Sequence, residues 1–258
     1  MLVNVLNDLW FSAGRWPLDP DSPTLVFIHG SGGDHTLWDR QVEALVDVAN
    51  TIALDLPGHG TSRKPGCDRV PDYAAAVAGF LENLRPPRPI PCGLSIGGAI
   101  VLQLLLERPR LLAAGVLMGT GARLRVLPEI FETIATDYEG FVDMLGRIGA
   151  SAQTDPACLL PVRRAAAACP PAVTAGDFKA CDRFDVMDRL DRIDRPVLVV
   201  SGAEDKLTPP KYSDFLEAHI PGAVRARIPA AGHLMPVEQP EAVNQVLRVF
   251  VAGLPDSA

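Results

Sequence analysis

Residues 90–107 read IPCGLSIGGAIVLQLLLE, and this stretch decides the fold. A short apolar run ends just before Ser95, and a longer apolar run with the length of a helix follows it. Ser95 is the central residue of a G-x-S-x-G pattern at residues 93–97. A sharp turn from a strand into a helix needs glycines on both sides, because Cβ atoms would collide there. The pattern therefore predicts a strand, a tight turn that exposes the Ser95 hydroxyl, and a helix over Ile96–Glu107.

The same alternation of strands and helices extends over most of the chain. Short apolar runs predict strands at Leu2–Leu6, Leu9–Ser12, Thr24–Ile28, Thr51–Leu54, Ile90–Leu94, Leu112–Met118, Pro196–Val200 and Val224–Ile228. Amphipathic runs predict helices at Thr36–Val48, Tyr73–Leu84, Lys211–His219 and Pro240–Val251. Strands without a polar face that alternate with helices indicate an α/β fold on a mostly parallel sheet.

One long segment breaks this alternation. Residues 122–188 contain no convincing strand, and their pattern predicts the short helices Pro128–Thr136, Tyr138–Ile148, Pro161–Cys169 and Thr174–Arg183. We interpret the segment as a helical insertion between two strands of one sheet. The predicted core is therefore formed by residues 1–121 and 189–258.

Composition and charge exclude several classes of protein. The 258 residues carry 24 Lys and Arg against 31 Asp and Glu, a net charge of −7 that argues against a nucleic-acid partner. The five cysteines form no C-x-x-C pair, and no cluster of metal ligands is visible, so neither a metal nor a cofactor is expected. No basic leader and no apolar stretch of membrane-spanning length occur. We expect a soluble, cytoplasmic monomer or small homo-oligomer that acts on a small molecule.

A serine hydroxyl becomes a useful nucleophile only beside a base that a third group orients. His233 lies in a loop between the last predicted strand and the last predicted helix. Asp205 follows the strand Pro196–Val200 closely, and its neighbour Glu204 is the competing acid. The chain order Ser95, Asp205, His233 is the order found in α/β-hydrolases and differs from that of chymotrypsin-like and subtilisin-like proteases.

A glycine-rich loop follows the predicted strand Thr24–Ile28. Residues 29–33 read HGSGG, so their backbone can approach a ligand closely. Acyl transfer needs backbone N–H donors aimed at a developing oxyanion, and we expect the amides of Ser31 and Ile96 to supply them. A phosphate-binding loop is the alternative, but both the G-x-x-x-x-G-K-[ST] and the G-x-G-x-x-G patterns are missing.

Taken together, these motifs resemble the α/β-hydrolase superfamily, and within it the small bacterial esterase-like members with a short helical lid. The motifs that carry the resemblance are HGSGG at 29–33, DLPGHGTS at 55–62, GLSIGG at 93–98, GAED at 202–205 and Gly232-His233. The resemblance implies a mostly parallel eight-stranded sheet flanked by helices, with a lid inserted after strand 6 at residues 122–188. It also implies that residues 55–62 form a structural turn, so His59 is not expected to be catalytic.

Two features depart from that family pattern. Pro89 and Pro91 lie in the strand that leads to Ser95, and a proline cannot donate to a sheet ladder. We therefore expect this strand to be short or irregular. Leu94 stands where many relatives carry a polar residue, which makes the surroundings of the nucleophile more apolar.

A serine at the turn favours hydrolysis of a carboxylic ester or thioester through an acyl-enzyme. The same triad also suits carbon–carbon bond hydrolysis, lactone or amide hydrolysis, perhydrolysis and acyl transfer, and a non-catalytic binding protein on this scaffold is the alternative from another class. Candidate substrate contacts are Gly30, Leu94, Phe131, Phe141 and Leu234. Further candidates on the lid are the apolar Leu127, Ile130, Met144 and Leu145, and the pair Arg163-Arg164 for an anionic substrate.

Overall fold

Eight strands form one sheet in the computed structural model, which describes residues 2–255. They are β1 (Leu2–Leu6), β2 (Leu9–Ala13), β3 (Thr24–Ile28), β4 (Asn50–Leu54), β5 (Pro89–Leu94), β6 (Gly115–Met118), β7 (Val197–Gly202) and β8 (Val224–Ile228). The strand order is β1-β2-β4-β3-β5-β6-β7-β8. The two pairings of β2 are antiparallel and the other five are parallel, which confirms the predicted mostly parallel sheet.

Helices cover both faces of the sheet. They are α1 (Asp39–Ala44), α2 (Val70–Leu84), α3 (Ile96–Glu107), α4 (Pro128–Thr136), α5 (Tyr138–Gly149), α6 (Leu160–Ala168), α7 (Pro171–Arg183), α8 (Pro210–His219), α9 (Met235–Glu238) and α10 (Pro240–Ala252). α2, α3 and α8 contribute to the apolar core on one face, and α1 and α10 contribute to the core on the other. Every residue of β3 and β7 is therefore buried, which explains their unbroken apolar runs. Within residues 2–255, no helix is long and apolar enough to cross a membrane.

The helix predicted over Thr36–Val48 is shorter than its apolar pattern indicated. A single 3₁₀ turn leads into α1, which ends at Ala44. The hydroxyl of Thr51 donates to the carbonyl oxygen of Val42 at 2.9 Å. In a continuing helix that oxygen would accept the amide of residue 46. The neighbouring strand β4 therefore competes for a backbone group that the helix would need.

The strand β5 is neither short nor irregular, so the expectation drawn from its prolines was wrong. It has six residues and pairs with β3 from Pro89 to Gly93. Along a strand, the backbone groups of successive residues face alternate neighbours. Because the carbonyl of Pro89 accepts the amide of Ala113, Pro89 and Pro91 both face the β6 side. The β6 ladder begins only at Cys92, so neither missing N–H falls within it.

The insertion between β6 and β7 consists of α4 to α7 with the turns that join them. Its two ends lie side by side, because the amide of Val186 donates to the carbonyl of Ala122 at 2.8 Å. The amide of Leu124 likewise donates to the carbonyl of Phe184. A segment that leaves and re-enters the core at one point can be treated as one unit, and the boundaries 122–188 stay a prediction.

The turn at residues 93–97 yields a test of the fold. A Cβ at Gly93 would overlap the backbone of Gly97. We expect Gly93→Ala to lower the free energy of unfolding by about 3 kcal/mol or more, because neither backbone segment can move away. Urea denaturation followed by circular dichroism measures this change.

Gly79 provides the matched control. It lies inside α2, and a Cβ there would have no heavy atom within 4 Å outside the backbone of its own helix. Gly79→Ala should therefore raise the free energy of unfolding by about 0.5–1 kcal/mol through the higher helix propensity of alanine. Equal stability of Gly93→Ala and the unchanged chain would contradict the close approach of β5 and α3.

Candidate active site

Ser95 occupies the turn between β5 and α3 in a strained conformation. Its φ of 58° and ψ of −118° lie where residues with a side chain are rarely found. Its amide donates to the carbonyl of Met118 at 3.0 Å, and its carbonyl accepts the amide of Ala99 at 3.1 Å. These two hydrogen bonds tie the turn to β6 and to α3. Ser95 lines a cavity at the carboxyl edge of the sheet.

Asp205 and His233 form a buried pair beside that cavity. Asp205 follows β7, His233 follows β8, and the two strands are neighbours in the sheet. The Nδ1 atom of His233 lies 2.9 Å from Oδ2 of Asp205, and the two residues are 5% and 3% exposed. An imidazole that donates from Nδ1 presents Nε2 as a base. His233 also lines the cavity that contains Ser95.

Three further donors surround the Asp205 carboxylate. The amides of Leu207 and Thr208 donate to Oδ1 at 2.9 Å, and the Thr208 hydroxyl donates to Oδ2 at 2.7 Å. Burial raises the pKa of Asp205, but the charge and ring N–H of His233 and the Thr208 donors outweigh burial. The pKa of Asp205 is therefore held below its ordinary value. The carboxylate stays ionised near neutral pH and orients the His233 ring.

Gly119, directly after β6, lies in close contact with this pair. Its φ is +48°, and a Cβ there would lie 3.2 Å from Nδ1 of His233 and 3.3 Å from Oδ2 of Asp205. A side chain at this position would crowd the hydrogen bond between His233 and Asp205. The pair therefore depends on a glycine that the G-x-S-x-G pattern does not include.

The loop that carries His233 is held by the insertion and by α9. The amide of His233 donates to the carbonyl of Gly149 at 2.6 Å. The Glu238 carboxylate accepts the amides of Gly232 and Ser151, which connects the histidine loop to the chain that leaves α5. Glu204, the competing acid, instead accepts the hydroxyl of Ser151 at 2.6 Å.

In the glycine-rich loop after β3, the peptide between Gly30 and Ser31 is oriented by hydrogen bonds within the loop. The carbonyl of Gly30 accepts Nδ1–H of His29 at 2.8 Å and the amide of Gly33 at 3.1 Å. In a trans peptide the C=O and the N–H point in opposite directions, so the Ser31 amide points away from these two donors. Gly30 and Ser31 line the cavity with Ser95. Ile96 opens α3, where the first amides have no acceptor within the helix.

His29 keeps this loop in shape as a neutral side chain. Its Nε2 accepts the amide of Leu56 at 3.0 Å, so that nitrogen carries no proton. Burial and the charge of the nearby His59 lower the pKa of His29 to about 4. The ring therefore donates only to Gly30 and fixes the orientation of the peptide that precedes Ser31.

The cavity in front of Ser95 is mostly apolar and has a volume of about 400 Å³. Of the candidate substrate contacts, Gly30, Leu94, Phe141 and Leu234 line it. The further apolar candidates of the insertion, Leu127, Ile130, Met144 and Leu145, line it as well. Phe131 is not among its lining residues, and its contact with a substrate stays a prediction. Successive residues of a helix are rotated by about 100°, so Ile130 faces the cavity and its neighbour does not.

The remaining candidates lie outside the cavity. Arg163 and Arg164 are exposed on α6, and Arg163 pairs with Asp143 of α5.

In the structural turn at 55–62, the Asp55 carboxylate accepts the amides of His35 and Thr61 at 2.9 and 2.8 Å. No three His, Cys, Asp or Glu side chains of residues 2–255 are grouped so that they could hold a metal ion.

The chain is similar to known hydrolases over most of its length. Residues 25–246 match the family model described as the alpha/beta hydrolase family. The chain is 28% identical over 238 residues to a pimeloyl-[acyl-carrier protein] methyl ester esterase of Nitrosomonas europaea, covering 86% of this chain and 92% of that protein. It is 28% identical over 252 residues to 3-oxoadipate enol-lactonase 2 of Acinetobacter baylyi, covering 90% and 89%. A solved thermophilic esterase superposes with a TM-score of 0.84 at 32% identity, covering 98% of both chains.

Thr208 provides a test of how the Asp205–His233 pair is held. Its hydroxyl donates to Asp205 and lies 3.1 Å from Nδ1 of His233. Loss of a hydrogen bond to a charged group costs about 1.5–3 kcal/mol. We therefore expect Thr208→Val to lower kcat/KM for p-nitrophenyl acetate roughly ten- to hundredfold. Thr208→Ser keeps the hydroxyl and should stay within about threefold. Equal kinetics of the two variants would show that the hydroxyl does not orient the pair.

Proposed function

The chain belongs to the alpha/beta hydrolase family, and we propose that Ser95, His233 and Asp205 are its catalytic triad. Its relatives are esterases and other hydrolases, so the protein is an esterase-like enzyme of the serine hydrolase type. One observation carries the proposal for the triad. A strained turn presents Ser95 to a cavity that is also lined by His233, whose Nδ1 atom is hydrogen-bonded to the buried Asp205.

In the acylation half of the proposed reaction, Ser95 Oγ attacks the carbonyl carbon of an ester. Nε2 of His233 accepts the hydroxyl proton as the new C–O bond forms. The ionised Asp205 stabilises the imidazolium through its bond to Nδ1–H. His233 then returns the proton to the departing alkoxide, so the alcohol leaves neutral and the acyl group remains on Ser95.

Deacylation repeats these steps with water in place of the serine. His233 removes a proton from a water molecule, which attacks the acyl carbon. The bond to Ser95 then breaks, and His233 returns the proton to Oγ. The products are a carboxylic acid and a regenerated enzyme, and no external cofactor enters the balance.

The negative oxygen of both tetrahedral intermediates needs donors that are fixed in advance. We propose the amides of Ser31 and Ile96. The turned peptide between Gly30 and Ser31 supports the first, and the position of Ile96 at the start of α3 supports the second. Each such donor contributes about 2.7–4 kcal/mol to the stability of the transition state in enzymes of this type.

We propose a carboxylic ester or thioester with a small to medium apolar acyl group as the substrate. The cavity volume of about 400 Å³ lies in the lower part of the usual range for small-molecule sites. Residues 122–188 act as the lid in this proposal, because α4 and α5 supply apolar side chains to the cavity. Leu94, Phe141 and Leu234 would contact the acyl group, and Gly30 would lie beside its carbonyl.

Lactone hydrolysis is the second candidate activity. It follows the same steps, except that the leaving alcohol stays attached to the acyl group. The likeness to an enol-lactonase over about nine-tenths of both chains favours this candidate. A set of simple lactones beside the ester series separates the two activities by their kcat/KM values.

The nucleophile is tested by Ser95→Ala. We expect this variant to lose more than about 10³-fold in kcat on p-nitrophenyl esters from acetate to laurate, because the acyl-enzyme cannot form. A fluorophosphonate should label the unchanged protein at Ser95 and leave the variant unlabelled. Mass spectrometry of peptides locates the label.

Ser22→Ala provides the matched control. Ser22 bonds to Asp19 before β3 begins, at the edge of the sheet opposite the cavity. Its kinetics should equal those of the unchanged protein. Labelling at Ser95 without ester turnover would redirect the search to carbon–carbon, amide or acyl-transfer substrates. A folded protein with neither label nor turnover would refute the proposed triad.

The acyl pocket is tested by Met144→Trp. Met144 of α5 lines the cavity, and a larger side chain there would fill part of its volume. We expect kcat/KM for long acyl esters to fall at least tenfold more than kcat/KM for the acetate, since a short acyl group does not reach this wall. An equal fall across the series would contradict the placement of the acyl group.

A further inference from the structure

A carboxylate of the insertion is buried against the loops of the core. Asp177 lies on α7 and is fully buried. Its Oδ2 accepts the amide of Gly32 at 2.9 Å and faces Nε2 of His59 at 2.9 Å. Its Oδ1 accepts the hydroxyl of Tyr73 at 2.6 Å. One side chain thus connects the insertion to the glycine-rich loop, to the turn at 55–62 and to α2.

The surroundings of His59 show that this pair is charged. The two ring nitrogens of His59 face acceptors, since Nδ1 lies 3.0 Å from the carbonyl of Pro57 and Nε2 faces Asp177. Each nitrogen therefore needs a proton, which makes the ring an imidazolium. Burial opposes the charge, but Asp177 outweighs it and raises the pKa of His59 to about 10. A buried ion pair results.

The charge of His59 matters because Asp177 would otherwise be an isolated buried anion. A single charge in an apolar interior is strongly unfavourable unless it is paired and hydrogen-bonded. His59 and the Tyr73 hydroxyl supply those partners for Asp177. The carboxylate can therefore stay buried at the position from which it accepts the Gly32 amide.

Helix α7 also packs tightly on the loop that Asp177 binds. Gly32 has a φ of +65°, and a Cβ there would lie 3.2 Å from the hydroxyl oxygen of Thr174. The hydroxyl of Ser31 lies 3.9 Å from the thiol of Cys181. The loop is thus held from inside by His29 and from outside by α7.

We propose that Asp177 is a positioning residue for catalysis, which fixes the Gly32 amide and thereby aims the neighbouring Ser31 amide at the oxyanion. The proposal rests on the function proposed for Ser31. It assigns the insertion a part in the reaction beyond forming the cavity. Asp177 touches neither the substrate nor the reacting atoms, because it acts through the backbone of the loop.

The test compares Asp177→Asn with the unchanged protein. Turnover of a p-nitrophenyl ester is divided by the number of sites that a fluorophosphonate labels at completion, so unfolded molecules do not count. We expect kcat per labelled site to fall roughly tenfold or more, with KM changed less than threefold, because the loss falls on the transition state. The rate of labelling should fall with kcat, since phosphonylation also needs the oxyanion donors.

Asp182→Asn provides the matched control on the same helix. Asp182 accepts the amide of Val126, which belongs to the insertion itself. Its kcat per labelled site should equal that of the unchanged protein. His59→Gln is the second variant in case Asp177→Asn does not fold. It keeps the carboxylate, removes the positive charge and should lower kcat in the same direction.

Nitrogen-15 NMR of the histidine rings supplies an independent readout. At pH 8, His59 should carry protons on both nitrogens in the unchanged protein and on one nitrogen in Asp177→Asn. A lower melting temperature with unchanged kcat per labelled site would reduce Asp177 to a structural role and overturn the proposal. A neutral His59 at pH 8 would overturn the ion pair. Failure of the triad itself would appear separately, as continued turnover by Ser95→Ala.

Discussion

The close approach of α3 to the carboxyl ends of β3 and β5 is the constraint on which the site depends. No Cβ fits at Gly93, where it would overlap the backbone of Gly97, or at Gly97, where it would overlap the carbonyl of Ile28. Between these two glycines, Ser95 adopts its strained turn, and α3 begins at the next residue. Strain at one residue persists only where its surroundings determine it fully. Here two strands and a helix do so.

Near that turn, two adjacent buried histidines, His29 and His59, differ in charge. His29 is neutral, because it accepts a backbone amide, and its ring centroid lies only 4.8 Å from that of the imidazolium His59. Two adjacent cations in an apolar interior would repel each other strongly. The neutral ring orients the peptide of Ser31, and the charged ring holds Asp177. The two histidines therefore serve one loop in different protonation states.

Much of this site could be predicted from the sequence, because each residue of the proposed triad follows a recognisable strand. The carboxyl ends of parallel strands meet at one edge, so Ser95, Asp205 and His233 were expected to lie together. Asp177 could not be found in this way, since it lies in an insertion where only the packing of α7 decides its neighbours. The effect of Pro91 also depended on where the β6 ladder begins, which no local pattern indicates. Phe131 shows the same limit. The neighbouring Ile130 lines the cavity and Phe131 does not, and the sequence pattern does not indicate which of two adjacent helical residues will face it.

The insertion has two tasks: it holds two loops of the core in place, and it lines the cavity. α7 must stay fixed, because its Asp177 holds the amide of Gly32, directly after Ser31. The end of α5 must stay fixed, because the Gly149 carbonyl accepts the His233 amide. The apolar side chains that line the cavity from α4 and α5 belong in part to a small cluster around Phe141, separate from both cores of the sheet. That cluster also includes Phe178, which lines the cavity and directly follows Asp177 on α7. The helix that holds the Gly32 amide is therefore also part of the cavity wall. A substitution that reshapes the cavity on this side acts next to the contact that holds the loop, so the two tasks are coupled through α7.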